Sequence, residues 1–163
     1  NSKESKKNLH WYYEIKHLGY KYNMNDLEAS IGRVQLKKLS FLNNSRIEFL
    51  KKYLLNLKKC ANFIPTFPYN LKKSSYWMFS IRTKNRDDLI SFLKKNNISS
   101  SVHLMPLPLH PLYKKYKSKI PKALKTWKEL VTLPLHPHLK KKEINYINTK
   151  LREFSLERGP YEV

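Results

Sequence analysis

At 163 residues, 40% hydrophobic and 13% aromatic, the chain is long and apolar enough for one domain with a real core. No stretch approaches the roughly 20 uninterrupted apolar residues of a membrane span, and the basic start, Asn1 to Lys7, has no apolar segment behind it, so a soluble cytoplasmic protein with no membrane partner is expected. The formal net charge of +21 would suit a polyanion, but its 33 basic residues are overwhelmingly lysine, set in pairs and triplets such as Lys37-Lys38, Lys94-Lys95 and Lys140 to Lys142, which reads as solvated surface and not as a specific nucleic-acid interface.

The chain opens on Asn1 instead of methionine, and within twenty residues it is inside a dense aromatic segment, which reads as a cut from something longer. Gly19-Tyr20-Lys21-Tyr22-Asn23-Met24 lies immediately ahead of a helix start, where free backbone N–H groups and the macrodipole favour an anion. Lys21 would add a mobile charge and Asn23 a neutral donor, together a phosphate cradle; the competing reading is a capped helix behind a tyrosine-rich packing turn.

From Asn25 a long helix is expected. Leu27, Ile31, Val34, Leu39, Leu42, Ile47, Leu50, Leu54 and Leu57 recur mostly at alternating spacings of three and four. Asn25 can cap it, Glu28 stands where a capping-box acid reaches back, and Asp26 complements the dipole. Asn43-Asn44-Ser45 interrupts the stripe and would bend or break the helix in two. Cys60, the only cysteine, allows no internal disulfide and reads as a small buried residue.

Pro65 and Pro68 close the helical region, and Tyr76 to Thr83 reads as a strand. Arg86 to Asn96 is a helix with Leu89, Ile90, Phe92 and Leu93 on one face and Asn97 as its stop. A short strand over Ser100 to His103 leads into a loop bounded by Pro106, Pro108 and Pro111, where proline cannot supply ladder hydrogen bonds. Lys122 to Leu130 reads as a helix, Val131 to Leu133 as a brief strand, and Glu143 to Phe154 as an amphipathic helix. This order gives an α/β or α+β layer without internal repeats.

Two further groups carry chemistry. His103, His110, His136 and His138 lack the i, i+4 pairing and the neighbouring carboxylate of a zinc site, so no metal is expected. His103, entering the proline loop from a strand, is the better candidate for hydrogen bonding a polar ligand. Tyr76-Trp77 could stack on a sugar or base, although such a pair is more often core on one side and cover on the other. No nucleophile elbow, P-loop or dinucleotide fingerprint is present, and spacing alone names no reaction.

Trp11 to Leu39, WYYEIKHLGYKYNMNDLEASIGRVQLKKL, resembles the DegT/DnrJ/StrS family of sugar aminotransferases, where a GYKYN or GYNYR turn precedes a helix of the DLQAAIGLAQL type. SSYWMFSIR with RDDLISFLKKNNIS, then SVHLMPLPLHPLYKKY, then LVTLPLHPHLKKKEINYINTKLREF follow in the family's order. The resemblance implies the C-terminal part of a fold-type-I aminotransferase using pyridoxal 5'-phosphate, with a long helix and a small helix-covered sheet. Residues 1–24 would be the end of a large domain with its cofactor-facing turn, 25–58 the connecting helix, and 59–163 the small domain. It further implies a homodimer that moves an amino group from an amino acid, usually glutamate, to a nucleotide-linked keto sugar in cell-surface glycan synthesis.

In that family the Schiff-base lysine lies upstream in a stretch like SFxxxKxxxxGEGG, which this sequence lacks, so no catalytic residue is assigned and the chain alone is expected to be inactive. By the same resemblance, Lys21 and Asn23 become contacts to the neighbouring subunit's cofactor phosphate, and His103 and His110 substrate contacts. Relatives often carry Asn and Arg at the places of Lys21 and Asn23, and the spacing of the histidine loop differs by a residue or two. Two other readings stand beside this one: a non-catalytic dimerisation or regulatory relative, and a basic nucleic-acid-binding domain.

Overall fold

The computed structural model describes residues 20, 22–66, 70, 74–113, 115–116, 118–158 and 160. The chain divides into two compact units, Asn1–Lys37 and Lys38–Val163.

In the first unit the described residues are an extended approach and the opening turns of helix α1 (Asp26–Leu57). Its start is the capping box anticipated from the sequence: the Glu28 N–H donates to Asn25 Oδ1 at 2.9 Å, and the Asn25 N–H donates to Glu28 Oε2 at 3.2 Å. Asp26 and Glu28 lie in the first turn, the favourable end of the macrodipole for acids.

The second unit holds the core. Here α1 runs on without a break through Asn43-Asn44-Ser45. Ser45 Oγ donates back to the Phe41 carbonyl at 2.9 Å and Arg46 Nη1 donates to Asn43 Oδ1 at 3.3 Å, so these polar groups bond within the helix instead of interrupting it. Next come β1 (Ile64–Pro65), β2 (Phe79–Arg82), α2 (Arg86–Lys95), α3 (Pro121–Glu129), β3 (Leu130–Leu133) and α4 (Lys141–Arg158).

The sheet has the order β1-β2-β3 and is antiparallel throughout, with Pro65 opposite Ile81 and Phe79, Ser80, Ile81 and Arg82 opposite Leu133, Thr132, Val131 and Leu130. β1 was not expected, because Pro65 reads as a breaker; it stands on an edge strand, the place where a missing N–H is tolerated. The strand expected over Tyr76 to Thr83 contracts to four residues. The one expected over Ser100 to His103 contracts to a single bridge, Ser101 to Thr132.

Helix ends follow local chemistry. α2 stops at Asn97, whose φ of 57° is the left-handed conformation that Asn tolerates. The Ile98 N–H donates to Leu93 O at 2.9 Å and the Asn97 N–H to Lys94 O at 3.0 Å, the paired bonds of a Schellman motif. Pro121 opens α3, where its absent N–H costs nothing. At α4 the Lys140 N–H donates to Glu143 Oε2 at 2.7 Å.

Phe79, Ile81, Val131 and Leu133 form one sheet face in a continuous core with Leu50, Tyr53 and Leu57 of α1, Leu89 and Leu93 of α2, and Ile144, Leu151 and Phe154 of α4. Tyr53 stacks on Phe79 with centroids 4.8 Å apart, and its hydroxyl donates to Pro134 O at 2.8 Å, which satisfies the polar tip of a fully buried ring. Cys60 is buried beside this core, as expected of a lone thiol.

Candidate functional site

Strand alternation gives the sheet a second, polar face. Ser80, Arg82 and Thr132 alternate with the core residues of β2 and β3, and Ser80 stands directly opposite Thr132. The chain at Ser101 joins this edge: its N–H donates to Thr132 O at 3.1 Å and its carbonyl accepts the Thr132 N–H at 2.7 Å. Two residues on, His103 Nδ1 lies 3.0 Å from Thr132 Oγ1. Trp77 meets the imidazole edge-on, with centroids 6.0 Å apart and planes at 85°.

One imidazole nitrogen is thus committed to Thr132, which leaves Nε2 for a ligand in either tautomer, as donor or acceptor. Among the described residues no carboxylate hydrogen-bonds His103, so the arrangement suits orienting a hydroxyl or phosphate oxygen better than moving protons. Trp77 is 68% exposed and offers a ring to an apolar sugar face, while Tyr76 is buried in the core. The pair therefore divides as core and cover.

The frame behind this edge is cross-linked by arginines. Glu129, buried at the junction of α3 and β3, accepts from Arg82 Nε at 3.0 Å and Nη2 at 2.8 Å, the pairing that a buried carboxylate requires. Arg86 donates to Trp127 O at 3.0 Å and lies over the Trp127 ring, tying α2 to α3.

Beyond His103 the proline loop forms two short 3-10 turns, Leu107–Leu109 and Pro111–Tyr113. His110 is the residue between them: its N–H donates to Leu107 O and its carbonyl accepts the Tyr113 N–H, both at 3.0 Å. Backbone bonds thus fix its position. No hydrogen bond or ring contact joins His110 to His103 among the described residues. Leu104, Leu107 and Leu112 are exposed along the same loop, an apolar rim beside the polar edge.

At the other expected site, Asn23 is exposed in the extended approach to α1, and the Tyr20 and Tyr22 rings lie 5.9 Å apart. Lys21 and Gly19 lie outside the described residues. The capping box uses the Glu28 and Asn25 N–H groups, and Asp26 and Glu28 bring negative charge to the helix start. An anion there would depend on the turn more than on the helix end.

No lysine among the described residues is buried, and no group of three His, Cys, Asp or Glu side chains converges on a metal position there. The described residues therefore do not fit an enclosed pyridoxal phosphate site; Asn23 offers at most an outlying phosphate contact. Sequence reasoning missed Thr132, the residue that orients His103. Its signal was a lone hydroxyl inside the apolar strand Leu-Val-Thr-Leu.

A sequence profile of the DegT/DnrJ/EryC1/StrS aminotransferase family matches residues 2–152. The chain is similar to an uncharacterized protein of Methanocaldococcus jannaschii, 40% identical over 79% of this chain and 36% of the relative. It is similar to the spore coat polysaccharide biosynthesis protein SpsC of Bacillus subtilis, 30% identical over 88% of this chain and 40% of the relative. A pleiotropic regulatory protein of Geobacillus stearothermophilus is 29% identical over 88% of this chain. Among solved structures, the aminotransferase TlmJ of Streptoalloteichus hindustanus superposes with a TM-score of 0.75 at 26% identity, covering 88% of this chain and 40% of that one. PseC of Helicobacter pylori, an aminotransferase of pseudoaminic acid biosynthesis, superposes with a TM-score of 0.76 at 23% identity, a likeness of fold alone that covers 91% of this chain and 42% of that one. The chain spans about two fifths of the length of the curated relatives it matches.

Proposed function

The chain belongs to the DegT/DnrJ/EryC1/StrS aminotransferase family and has the fold of the C-terminal domain of a PLP-dependent aminotransferase, and from that premise we propose that it is the substrate-facing C-terminal part of an enzyme that aminates a nucleotide-linked keto sugar. Glutamate would be the amino donor, and the whole enzyme a homodimer working in cell-surface glycan synthesis. Pyridoxal phosphate, when bound, supplies the electron sink for amino transfer. The lysine that holds it would come from outside this sequence, which leaves this domain inactive alone.

The observation that carries the reading is the polar edge of the sheet. His103, oriented by Thr132 at 3.0 Å and flanked by the exposed Trp77 ring, presents one free nitrogen beside an aromatic face. Such a pairing suits a hydroxylated ring better than a bare anion. His110, on the same loop, is a second substrate contact, while Lys21 and Asn23 reach the cofactor phosphate of the neighbouring subunit. The apolar residues exposed along the first half of α1, Leu27, Ile31 and Val34, fit a helix that the rest of the enzyme covers.

The test uses the full-length protein supplied with pyridoxal phosphate, glutamate and a nucleotide-linked keto sugar. His103→Ala is expected to raise KM for the sugar about tenfold, the worth of one hydrogen bond to an oriented group, with little change in KM for glutamate. An unchanged sugar KM removes His103 from the site. Lys21→Ala is expected to weaken cofactor retention more than it slows turnover at saturating cofactor; unaltered retention removes Lys21.

A second reading, a non-catalytic regulatory relative, draws support from the similarity to the Geobacillus regulatory protein. It predicts a full-length protein that binds no cofactor and transfers no amino group.

A further inference from the structure

Within the second unit, the last turns of α1 and the middle of α4 flank a groove of about 440 Å³. Lys52 reaches it from α1 and Lys59 from two residues past its end, Asn145, Asn148, Thr149 and Arg152 from α4. Among the described residues no carboxylate lines it. Glu48 lies 3.8 Å from Lys52 and 3.9 Å from Lys141, both beyond hydrogen-bond length. Among the described residues, Lys59 and Arg152 have no carboxylate within 4.0 Å. Arg152 Nη2 donates to Thr149 Oγ1 at 3.4 Å, which leaves the other donors of its fork free.

Lys52, Lys59 and Arg152 line one small groove, an arrangement that favours a bound anion. Lys142, Lys94 and Lys119 line other depressions of this basic surface, so charge by itself does not single out this place. A second feature does. Asn148, only 8% exposed, lines the groove, and its Oδ1 is buried with no hydrogen-bond donor. Its Nδ2 donates a long 3.4 Å bond to Lys52 O, a weak tether that a small rotation of the amide would release. The helix backbone around it is already fixed, since Asn56 Nδ2 donates to Asn148 O at 3.1 Å. A buried amide oxygen without a donor costs free energy that a ligand hydroxyl would recover.

We propose that this groove is a binding site for a small phosphorylated polyol such as a sugar phosphate, with the phosphate held by Lys59, Arg152 and Lys52 and a ligand hydroxyl donating to Asn148 Oδ1. The volume lies within the range of ordinary small-molecule sites. Lys52, Arg152 and the amide acceptor lie on two helices tied by the Asn56–Asn148 bond, and Lys59 follows within two residues of the end of α1, so only the Asn148 amide has to turn. A bare phosphate would satisfy the cations but leave the amide oxygen as it is.

The experiment is a titration of the full-length protein with glucose 1-phosphate, followed by amide NMR shifts at about 0.1 M salt, where diffuse surface attraction is screened. Saturable shifts confined to residues flanking the groove are expected, with inorganic phosphate binding several-fold more weakly. Lys59→Gln with Arg152→Gln should weaken binding about tenfold, the loss of charge-assisted contacts. Lys94→Gln with Lys95→Gln, the same charge change on α2, should leave it within about twofold. All four are exposed side chains, so the fold should survive, and the unchanged spectrum of each variant checks that. Shifts spread over the whole surface, equal weakening by the two double variants, or equal affinity for phosphate and glucose 1-phosphate would each overturn the proposal.

Discussion

Along α1, Leu27, Ile31 and Val34 repeat at the same three- and four-residue spacing as Leu50, Tyr53 and Leu57, yet the two stretches meet opposite environments. Leu27, Ile31 and Val34 are 77%, 63% and 48% exposed, whereas Leu50 and Tyr53 are wholly buried against the sheet and α4. Periodicity therefore records that a helix face wants cover, and not what covers it. In the second half the cover comes from the sheet and its flanking loop: Phe79 stacks on Tyr53, and the Tyr53 hydroxyl donates to Pro134 O. In the first half, the proposed cover is the rest of the enzyme.

Substitutions can break or sharpen this contrast. Leu50→Ala should have the largest effect, about 2–5 kcal/mol lost in denaturant unfolding, because a fully buried leucine leaves a cavity that the packed sheet cannot close. Tyr53→Phe should cost about 1 kcal/mol near neutral pH through the lost bond to Pro134 O. Burial pushes the Tyr53 hydroxyl well above its usual value of 10.0, so the folded chain keeps the proton that the unfolded chain gives up. The stability due to that difference is present below pH 10 and falls by about 1.4 kcal/mol per unit above it. The deficit of Tyr53→Phe relative to the parent should therefore shrink and then reverse as the pH passes 10. A deficit constant with pH would show that Tyr53 ionises as readily folded as unfolded.

Asn25→Ala, which opens the capping box, should cost about 1 kcal/mol or less. Leu27→Ser with Ile31→Ser should change the unfolding of the 163-residue chain least, by about 0.5 kcal/mol or less, while reducing its self-association. If that pair destabilises the chain as much as Leu50→Ala does, the first half of α1 is covered within this chain and the contrast collapses.

Much of the second unit was legible in the sequence because its signals are local. α2 stops at Asn97 as read, since Asn tolerates the left-handed turn that a Schellman motif requires. The apolar side of α4, and in the first unit the Asn25–Glu28 box, are likewise written within a few turns. Nonlocal pairing was not legible. Pro65 signals a break, and only its place opposite Ile81 on a sheet edge makes it strand. Ser101 became a lone bridge because the chain turns into the loop after it, leaving room for one pair with Thr132.

The site shows the same division. His103 stood out as a histidine entering a proline loop, but Thr132, 29 positions away, became its partner only through the fold. The α1–α4 groove joins Asn56 to Asn148 across 92 positions and had no sequence signal beyond ordinary polar residues on two helix faces. Lys21 and Gly19 remain expectations, since the described residues begin beyond them save for Tyr20.

The most direct test of the central claim is transfer of label from glutamate bearing nitrogen-15 to a nucleotide-linked keto sugar by the full-length protein with pyridoxal phosphate. The account predicts an amino sugar nucleotide carrying the label, formed only when cofactor, glutamate and sugar are all present. A protein that binds neither cofactor nor sugar nucleotide, and leaves the label in glutamate, would contradict it and leave the regulatory reading in its place.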